Sequence, residues 1–335
     1  MGKSIVGLEV TEESVRAAEV GLGRTPQLLA YGEVPLAPEV SKDSEVLDSG
    51  AVAAALRQLW TGARFRSRRV VLGVASRRIL VREYSTQAMR PDMLREALPY
   101  QVQDLLPVPA SQAVLDFYPL SQQGDQVSGL LVAAVSETLE QIIGTLGKVK
   151  LRAAAVDLTA FGLARATATL APAEATTATV FIGDHTTQVV IARGGVPQFV
   201  RLLPIDVPTS AAMRHLSDPA ALVAEMEAAL VPAAATRPRG ANRGPASDPV
   251  EDLAARLRST LAFYGGRPTA QPISAVFITG AGAAGEGIMP ALGAAIDVPV
   301  IVVSATDVIA AEAPPAGELG LNLVSSIGIA LGQVR

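Results

Sequence analysis

VGLEVTEESVRAAEV (residues 6–20) and FIGDHTTQVVIARGGVPQFVRLLPI (residues 181–205) follow one plan: an apolar strand, a polar turn, then a second apolar strand. In the first stretch, residues 4–10 and 15–20 read as strands joined by a turn at Thr11 to Ser14, and a third strand is expected near 27–34. In the second, turns at Gly183 to Thr186 and at Gly194 to Gly195 separate two or three antiparallel strands. One β-meander thus occurs twice. A chain of 335 residues also exceeds the roughly 100 to 200 residues of a typical domain, so two lobes or one elaborated domain are expected.

Working outward, residues 50–61 carry Val52, Leu56, Leu59 and Trp60 at helical spacing, and the strand of residues 70–75 follows. A helix is expected from Pro91, with Leu94, Leu98, Val102 and Leu105 on one face; Pro99 should kink it or divide it into two short helices. Strands at 114–118 and 129–135 and a helix begun by Ser136 complete a βαββα order over 70–148, which suggests a small sheet-and-helix unit inserted in the first lobe. Strand and helix continue over 153–168. After the second meander, helices are expected around 209–230 and 248–264. Between them, residues 232–250 are rich in Pro, Ala, Gly and Arg with little to bury, and a disordered loop is expected. The stretch from Ala275 then gives a buried strand, a glycine turn, a helix and a strand, and residues 318–334 read as a last helix.

Composition narrows the chemistry. With no cysteine there are no disulfides, thiolate nucleophiles or Cys-ligated metals, and two histidines, His185 and His215, leave little for a His-based metal site or a Ser/His/Asp enzyme. Net charge of −4 argues against a nucleic-acid role, and the basic cluster Arg64, Arg66, Arg68 and Arg69 reads as a solvated turn. Glu225 and Glu227 read as a solvated helix face rather than an acid/base pair. The N-terminus begins as a strand without a leader pattern, and no run reaches the roughly 18 apolar residues of a membrane helix, so the chain is expected in the cytoplasm, reaching a membrane only through a partner.

Several pieces, in order, resemble the PilM family: VGLEVTEESVRAAEV, then ALPYQVQDLLPVPASQAVLDF (97–117), LLVAAVSETLEQ (130–141), AVDLTAFGLARA (155–166), the second meander, and ITGAGAAGEGIMPAL (278–292). The resemblance implies an α/β, actin-like fold (the ASKHA, ribonuclease H-like superfamily) of two related lobes around a nucleotide cleft. It divides the chain into a first lobe (1–170) with an inserted subdomain at about 82–150, a second lobe (171–317) with the disordered loop, and a C-terminal helix (318–335) packing back on the first lobe.

The resemblance also implies an ATP and Mg2+ site, since in that superfamily two turns present backbone N–H groups and hydroxyls to phosphates while an Asp on each hairpin helps hold the metal or water. Carried over, the nucleotide-binding positions are Glu9, Thr11, Gly183, Thr186, Thr187, Gly280 and Gly282. Both Asp-Ile-Gly signatures are altered, to Glu9-Val10-Thr11 and Phe181-Ile182-Gly183. Glu12, Glu13 and Asp184 would also face the phosphates. Like charges about 4 Å apart repel by roughly 4 kcal/mol at an effective dielectric near 20. The phosphate site is therefore expected to be compromised; a purely structural pair of turns and nucleotide binding without turnover are both left open, and no catalytic residue or metal ligand is assigned. His185 is expected to be a turn residue.

Finally, the resemblance implies a partner. In PilM relatives a groove near the inserted subdomain takes the N-terminal peptide of the membrane protein PilN, and the candidate contributors here are Leu94, Leu98, Tyr100, Val102, Leu105, Leu106 and Val108, with internal packing as the alternative for each. A scaffold at the inner membrane follows, with pilus motor components as further partners and self-association open. The other readings are an active actin-like ATPase or kinase, an FtsA-like filament former, disfavoured by the lack of an amphipathic C-terminal anchor, and the cytoplasmic half of a GspL-like type II secretion protein.

Overall fold

A computed structural model describes residues 4–216 and 248–333. Strands β1 (Ser4–Val10) and β2 (Ser14–Gly21) form a hairpin in which Val10 pairs with Val15, closed by the Thr11 N–H donating to the Ser14 carbonyl at 2.8 Å. Both strands are buried along nearly their whole length, so neither shows the in–out alternation of a half-solvated strand. Strand β3 (Gln27–Pro35) continues the meander. The chain then makes a two-residue hairpin, β4 (Ser41–Lys42) and β5 (Glu45–Val46), and enters helix α1 (Ser49–Gly62), whose first turn is capped by Asp48. It returns as β6 (Arg69–Val74), parallel to β1.

Residues 80–135 form a separate three-stranded sheet: β7 (Leu80–Gln87), helix α2 (Pro91–Gln101), β8 (Ala113–Gln123) and β9 (Gln126–Val135), in the order β7-β9-β8. Strand β7 is absent from the βαββα order expected from sequence, because LVREYSTQ carries charge at its centre and hides little of it: Arg82 and Glu83 are exposed on an edge strand. Nor does Pro99 divide α2. It lies in the last turn, where it forfeits a single backbone hydrogen bond, and the helix runs on to Gln101 before a separate 3-10 turn at Gln103–Leu105.

Helix α3 (Ser136–Lys148) sends Leu139, Ile142 and Leu146 into the core beneath β1, β6 and α1. It therefore belongs to the first lobe's own packing, and the inserted sheet stops at Val135, short of the 150 expected. Strand β10 (Arg152–Leu158) then pairs parallel to β6, and helix α4 (Thr159–Thr167) leads to the second sheet.

The second lobe repeats the first. Strands β11 (Thr176–Ile182), β12 (Thr186–Arg193) and β13 (Val196–Pro204) make the meander. Helices α5 (Ser210–Leu216) and α6 (Pro249–Gly265) follow on either side of 217–247. Strand β14 (Ile273–Thr279) pairs parallel to β11, helix α7 (Ile288–Ala295) crosses, and β15 (Val300–Val302) pairs parallel to β14. The expected loop at 232–250 and helix at 209–230 fall largely outside the described residues, as do Glu225, Glu227 and the side chain of His215. Helix α8 (Ala305–Val308) and strand β16 (Ala310–Ala311), which pairs with β3, precede the final helix α9 (Gly317–Leu331).

The sheet orders expose the duplication: β10-β6-β1-β2-β3-β16 in one lobe and β13-β12-β11-β14-β15 in the other. In each, an antiparallel meander runs one way from a central first strand and a parallel strand lies on its other side. Helices α4 and α9 lie between the two sheets. Leu323, Ile327 and Ile329 of α9 join Ile5 and Val71 of the first sheet, whereas Val324 joins Phe181, Val190 and Phe277 of the second. Two glycines make this closeness feasible: a Cβ on Gly328 would sit 1.9 Å from the Gly162 carbonyl oxygen of α4, and one on Gly7 would sit 1.9 Å from that of Ser326. The C-terminal helix packs on the first lobe and also covers the second.

Candidate functional site

The duplicated hairpins meet with their turns facing each other, and register gives equivalent positions. Glu9 pairs with Arg16 in the first hairpin and Phe181 with Gln188 in the second. All four side chains line the cleft between the lobes.

Arg16 dominates the floor of this cleft. It is 4% exposed, donates from Nη2 to Glu9 Oε2 at 3.2 Å, and holds its guanidinium carbon 5.0 Å from the centroid of the Phe181 ring. Burial alone would lower its pKa, but the carboxylates of Glu9, Glu33 and Asp184 outweigh that and hold it above its ordinary value. The second oxygen of Glu9 accepts from Ser325 Oγ at 2.7 Å and Ser326 Oγ at 2.5 Å, both on α9. Glu9 is thus fully engaged by its own chain. Beside it, Thr159 at the start of α4 donates its hydroxyl to the Gln188 side chain.

At the mouth of the cleft stands His185. Its Nε2 lies 2.9 Å from Glu13 Oε1 on the first lobe and its Nδ1 lies 2.8 Å from Asp206 Oδ1 on the second, with Glu12 Oε2 at 3.7 Å from Nε2. A neutral imidazole has one N–H, so two carboxylate acceptors on two ring nitrogens define an imidazolium. The hydrogen bond to Glu13, set against partial burial and reinforced by Asp206 and Glu12, pushes its pKa up to about 9. The expected turn residue is therefore also a bridge between lobes. Asp184 is occupied too: Thr209 donates to its side chain, and its carbonyl accepts from Val207 N–H at 2.8 Å. The acidic turns that would repel a phosphate are thus neutralised from within by Arg16 and His185.

Of the positions carried over for nucleotide, Glu9, Thr11, Gly183 and Thr186 come together at the cleft. Thr187, Gly280 and Gly282 do not line it. Thr187 is wholly buried, and its hydroxyl has no hydrogen-bond partner. The glycine turn is turned inward: a Cβ on Gly280 (φ 86°) would strike the Ile182 carbonyl at 2.4 Å, and one on Gly282 would strike the Ile182 side chain at 2.3 Å. Helix α9 takes the donors of this turn, with Ala281 N–H bonded to Asn322 Oδ1 at 2.8 Å and Gly280 N–H to the Leu321 carbonyl at 3.3 Å.

The cleft is narrow in this arrangement. Its free volume is about 50 Å³, against the roughly 300 to 1,000 Å³ of ordinary small-molecule pockets. Gly183 N–H is spent on the Thr186 carbonyl at 3.0 Å, and Thr11 N–H on Ser14. Among the described residues no group of three or more His, Asp or Glu side chains is placed to hold a metal ion.

The inserted sheet carries the other surface of interest. A groove of about 400 Å³ runs between α2 and β8, lined by Met89, Leu94, Leu98, Leu115 and Phe117, with Arg95 and Asp116 among its polar wall residues. Of the seven residues expected to meet a partner, Leu94 and Leu98 line it. Leu98 and Val102 are buried against Leu131, with Leu94, Leu105 and Leu106 half-buried around them, so that part of the apolar series packs the insert itself. Val108 is half-buried, and Tyr100 is 87% exposed, on the far side of α2 from that packing. A second, tighter apolar seam of about 20 Å³ lies where the insert meets the first lobe, walled by Val74, Ile79, Val135, Leu139 and Ile142 with Thr138 at its edge.

The sequence profile of the type IV pilus assembly protein PilM family matches residues 7–202, more than half of the chain. The chain belongs to the PilM family. Among solved structures, the PilM–PilN type IV pilus biogenesis complex superposes with a TM-score of 0.80 at 23% identity, covering 100% of both chains. The cytoplasmic domain of EpsL, an inner-membrane component of the Vibrio cholerae type II secretion system, superposes with a TM-score of 0.50 at 11% identity over 99% of this chain and 96% of that one. The fold is the two-lobed actin-like one. No helix among the described residues is long and apolar enough to cross a membrane.

Sequence reading missed Arg16, which lines the cleft, Ser325 and Ser326, which hold Glu9, and Asn322, which holds the glycine turn. The signal for Arg16 was present: counting back across the Thr11–Ser14 turn pairs it with Glu9. The α9 residues carried no such signal, because their partners lie more than 300 positions away or on another turn.

Proposed function

We propose that this PilM-family chain is a docking platform at the cytoplasmic face of the inner membrane, receiving the N-terminal segment of a PilN-like membrane protein and linking it to the pilus assembly machinery. It does this without binding or turning over ATP. The observation that carries the reading is the contrast between its two concave surfaces: the inter-lobe cleft is filled by Arg16, Glu9 and Phe181, whereas the α2–β8 groove of the insert stays open with Leu94 and Leu98 in its wall. An open apolar groove with a few polar wall groups suits a short peptide anchored by alternate apolar side chains. A relative solved as a PilM–PilN complex supports the choice of partner.

The test is calorimetric titration of the full chain with a synthetic peptide of the PilN-like protein's N-terminus, alongside an ATP hydrolysis assay. The expected result is saturable peptide binding, hydrolysis no faster than the buffer blank, and at least tenfold weaker binding for Leu94→Glu. Loss of binding in Thr138→Arg but not Leu94→Glu moves the peptide to the seam between insert and lobe. No peptide binding together with sustained ATP turnover overturns the proposal in favour of an actin-like ATPase.

A further inference from the structure

Lobe closure in actin-like folds has to be held by something that spans the cleft. Besides the packing of helices α4 and α9, side chains span the mouth of the cleft in this chain. Glu13 on the first-lobe turn and Asp206 on the second-lobe segment after β13 grip opposite nitrogens of His185, at 2.9 Å and 2.8 Å. Beneath them Arg16 of the first lobe lies over Phe181 of the second. We propose that His185, in its doubly protonated form, is an electrostatic clasp that keeps the two lobes shut in the place a nucleotide would occupy, so that closure of this chain is set by a proton rather than by ATP.

Among the described residues, the surroundings of the clasp are mostly acidic. The β1–β2 turn contributes Glu12 and Glu13, the β11–β12 turn contributes Asp184 beside His185 itself, and the segment after β13 contributes Asp206. Glu39, on the loop after β3, lines the same recess of about 460 Å³; Asp43 lines the adjoining cleft, where it is paired with Arg77 at 3.5 Å, and Arg16 lines the cleft floor. Among the described residues, helices α5 and α6 present Ala212, Met213 and Pro249 to the recess. Deprotonating the ring removes its positive charge and one of its two donors, so one of the two carboxylate contacts is lost and the charge that joins the lobes disappears. With its pKa raised to about 9, the imidazole stays charged through neutral pH and the clasp is engaged without any ligand.

This goes beyond the docking reading and does not rest on it: peptide titration reports on the insert, whereas the following measurement reports on the cleft. The chain has no cysteine, so Lys42→Cys and Glu251→Cys, both exposed and within two residues of Ser41 and Pro249 that line the recess, give a clean spin-label pair in the full chain. Pulsed dipolar spectroscopy is expected to give one short distance at pH 7, unchanged by Mg2+ and ATP, and a longer population that grows as pH rises toward and past about 9. His185→Gln is expected to show that longer population already at pH 7, and His185→Arg, charged throughout, to stay short across the range. In a His215→Gln background the single remaining imidazole is expected to titrate by NMR with a midpoint of about 9. A His185→Gln protein as closed as wild type at pH 7, a His185→Arg protein that opens like wild type, an imidazole midpoint near its ordinary 6.5, or closure that needs ATP each overturns the clasp.

Discussion

Arg16 of the first hairpin stacks on Phe181 of the second, its guanidinium carbon 5.0 Å from the ring centroid, while Glu9 ties it from behind. Phe181 occupies in its lobe the position Glu9 occupies in the other, so the duplicated fold has placed an aromatic ring where its counterpart has a carboxylate. The ring gives the cation a partner of its own, worth about 0.5 to 2 kcal/mol depending on desolvation. A carboxylate there would pair with Arg16 and leave less to offer a metal. Phe181→Asp alone is therefore expected to restore no Mg2+-dependent ATP binding, and Phe181→Asp combined with Arg16→Ser is the variant expected to gain it. Calorimetry with and without Mg2+ separates the two; binding by Phe181→Asp alone means that Arg16 is not what fills the site.

The Arg16–Glu9 pair is also a stability statement. Both groups are buried, at 4% and 3% exposure, so removing one leaves the other charged and poorly compensated. Arg16→Ala is expected to cost about 3 to 5 kcal/mol. Arg16→Met combined with Glu9→Gln removes both charges, keeps volume and leaves Ser325 and Ser326 an acceptor, and is expected to cost much less than the two single changes added together. A urea-denaturation double-mutant cycle checks this, and additivity of the two changes is the unfavourable result.

How far these groups could be read from the sequence follows from where their partners lie. The duplicated meander, the parallel strand beside it and the helix between them are set by apolar runs and turn residues within a few dozen positions, and these elements appeared where residues 4–34, 50–75 and 177–205 place them. The insert was legible as a unit but not in its boundaries, because β7 is a polar edge strand and α3, though it follows the insert in the chain, buries its apolar face in the lobe. The cleft was legible in outline only. Nothing near Gly280 in the sequence says that Asn322 will take its turn's donor, and nothing in the turn Gly183 to Thr186 says that His185 will cross to Glu13.

The clasp gives stability a pH dependence of definite sign. His185 binds its proton with a pKa of about 9 in the folded chain and an ordinary 6.5 unfolded, so between those values the folded state holds the extra proton. The contribution is fully present below pH 6.5 and is lost as pH rises through about 9. Thermal melts of wild type and His185→Gln are expected to differ most near pH 6 and to converge above pH 9, with the difference shrinking across that window. A constant or widening gap counts against the imidazolium. Because the ring is 37% exposed, added salt should narrow the gap at pH 6 as well.

The crossing of α4 and α9 tolerates no side chain at its closest point. A methyl group on Gly328 would lie 1.9 Å from the Gly162 carbonyl oxygen and 2.5 Å from its carbon, both backbone atoms with no rotamer to move. Gly328→Ala is accordingly expected to destabilise by at least the ~1 to 3 kcal/mol typical of overpacking, read as a lower midpoint in denaturant. Gly144→Ala, on the exposed side of α3 with nothing within 4 Å, is the matched control and should raise the midpoint slightly, as alanine replaces glycine within a helix.

The insert offers the last test, because its apolar series divides into residues that build it and residues that face outward. Leu98 is 3% exposed and Val102 is fully buried, both against Leu131, whereas Tyr100 between them is 87% exposed. Leu98→Ala is expected to cost about 2 to 5 kcal/mol, with the loss confined to the insert if that small sheet opens on its own, and Tyr100→Ala to leave stability unchanged. Hydrogen exchange resolved along the chain distinguishes the two: faster exchange over residues 80–135 in Leu98→Ala with the lobes' strands still protected marks the insert as a separate cooperative unit. If β1 and β11 lose protection together with the insert, the small sheet is instead part of one indivisible fold, and a peptide bound in its groove would act directly on the closed cleft.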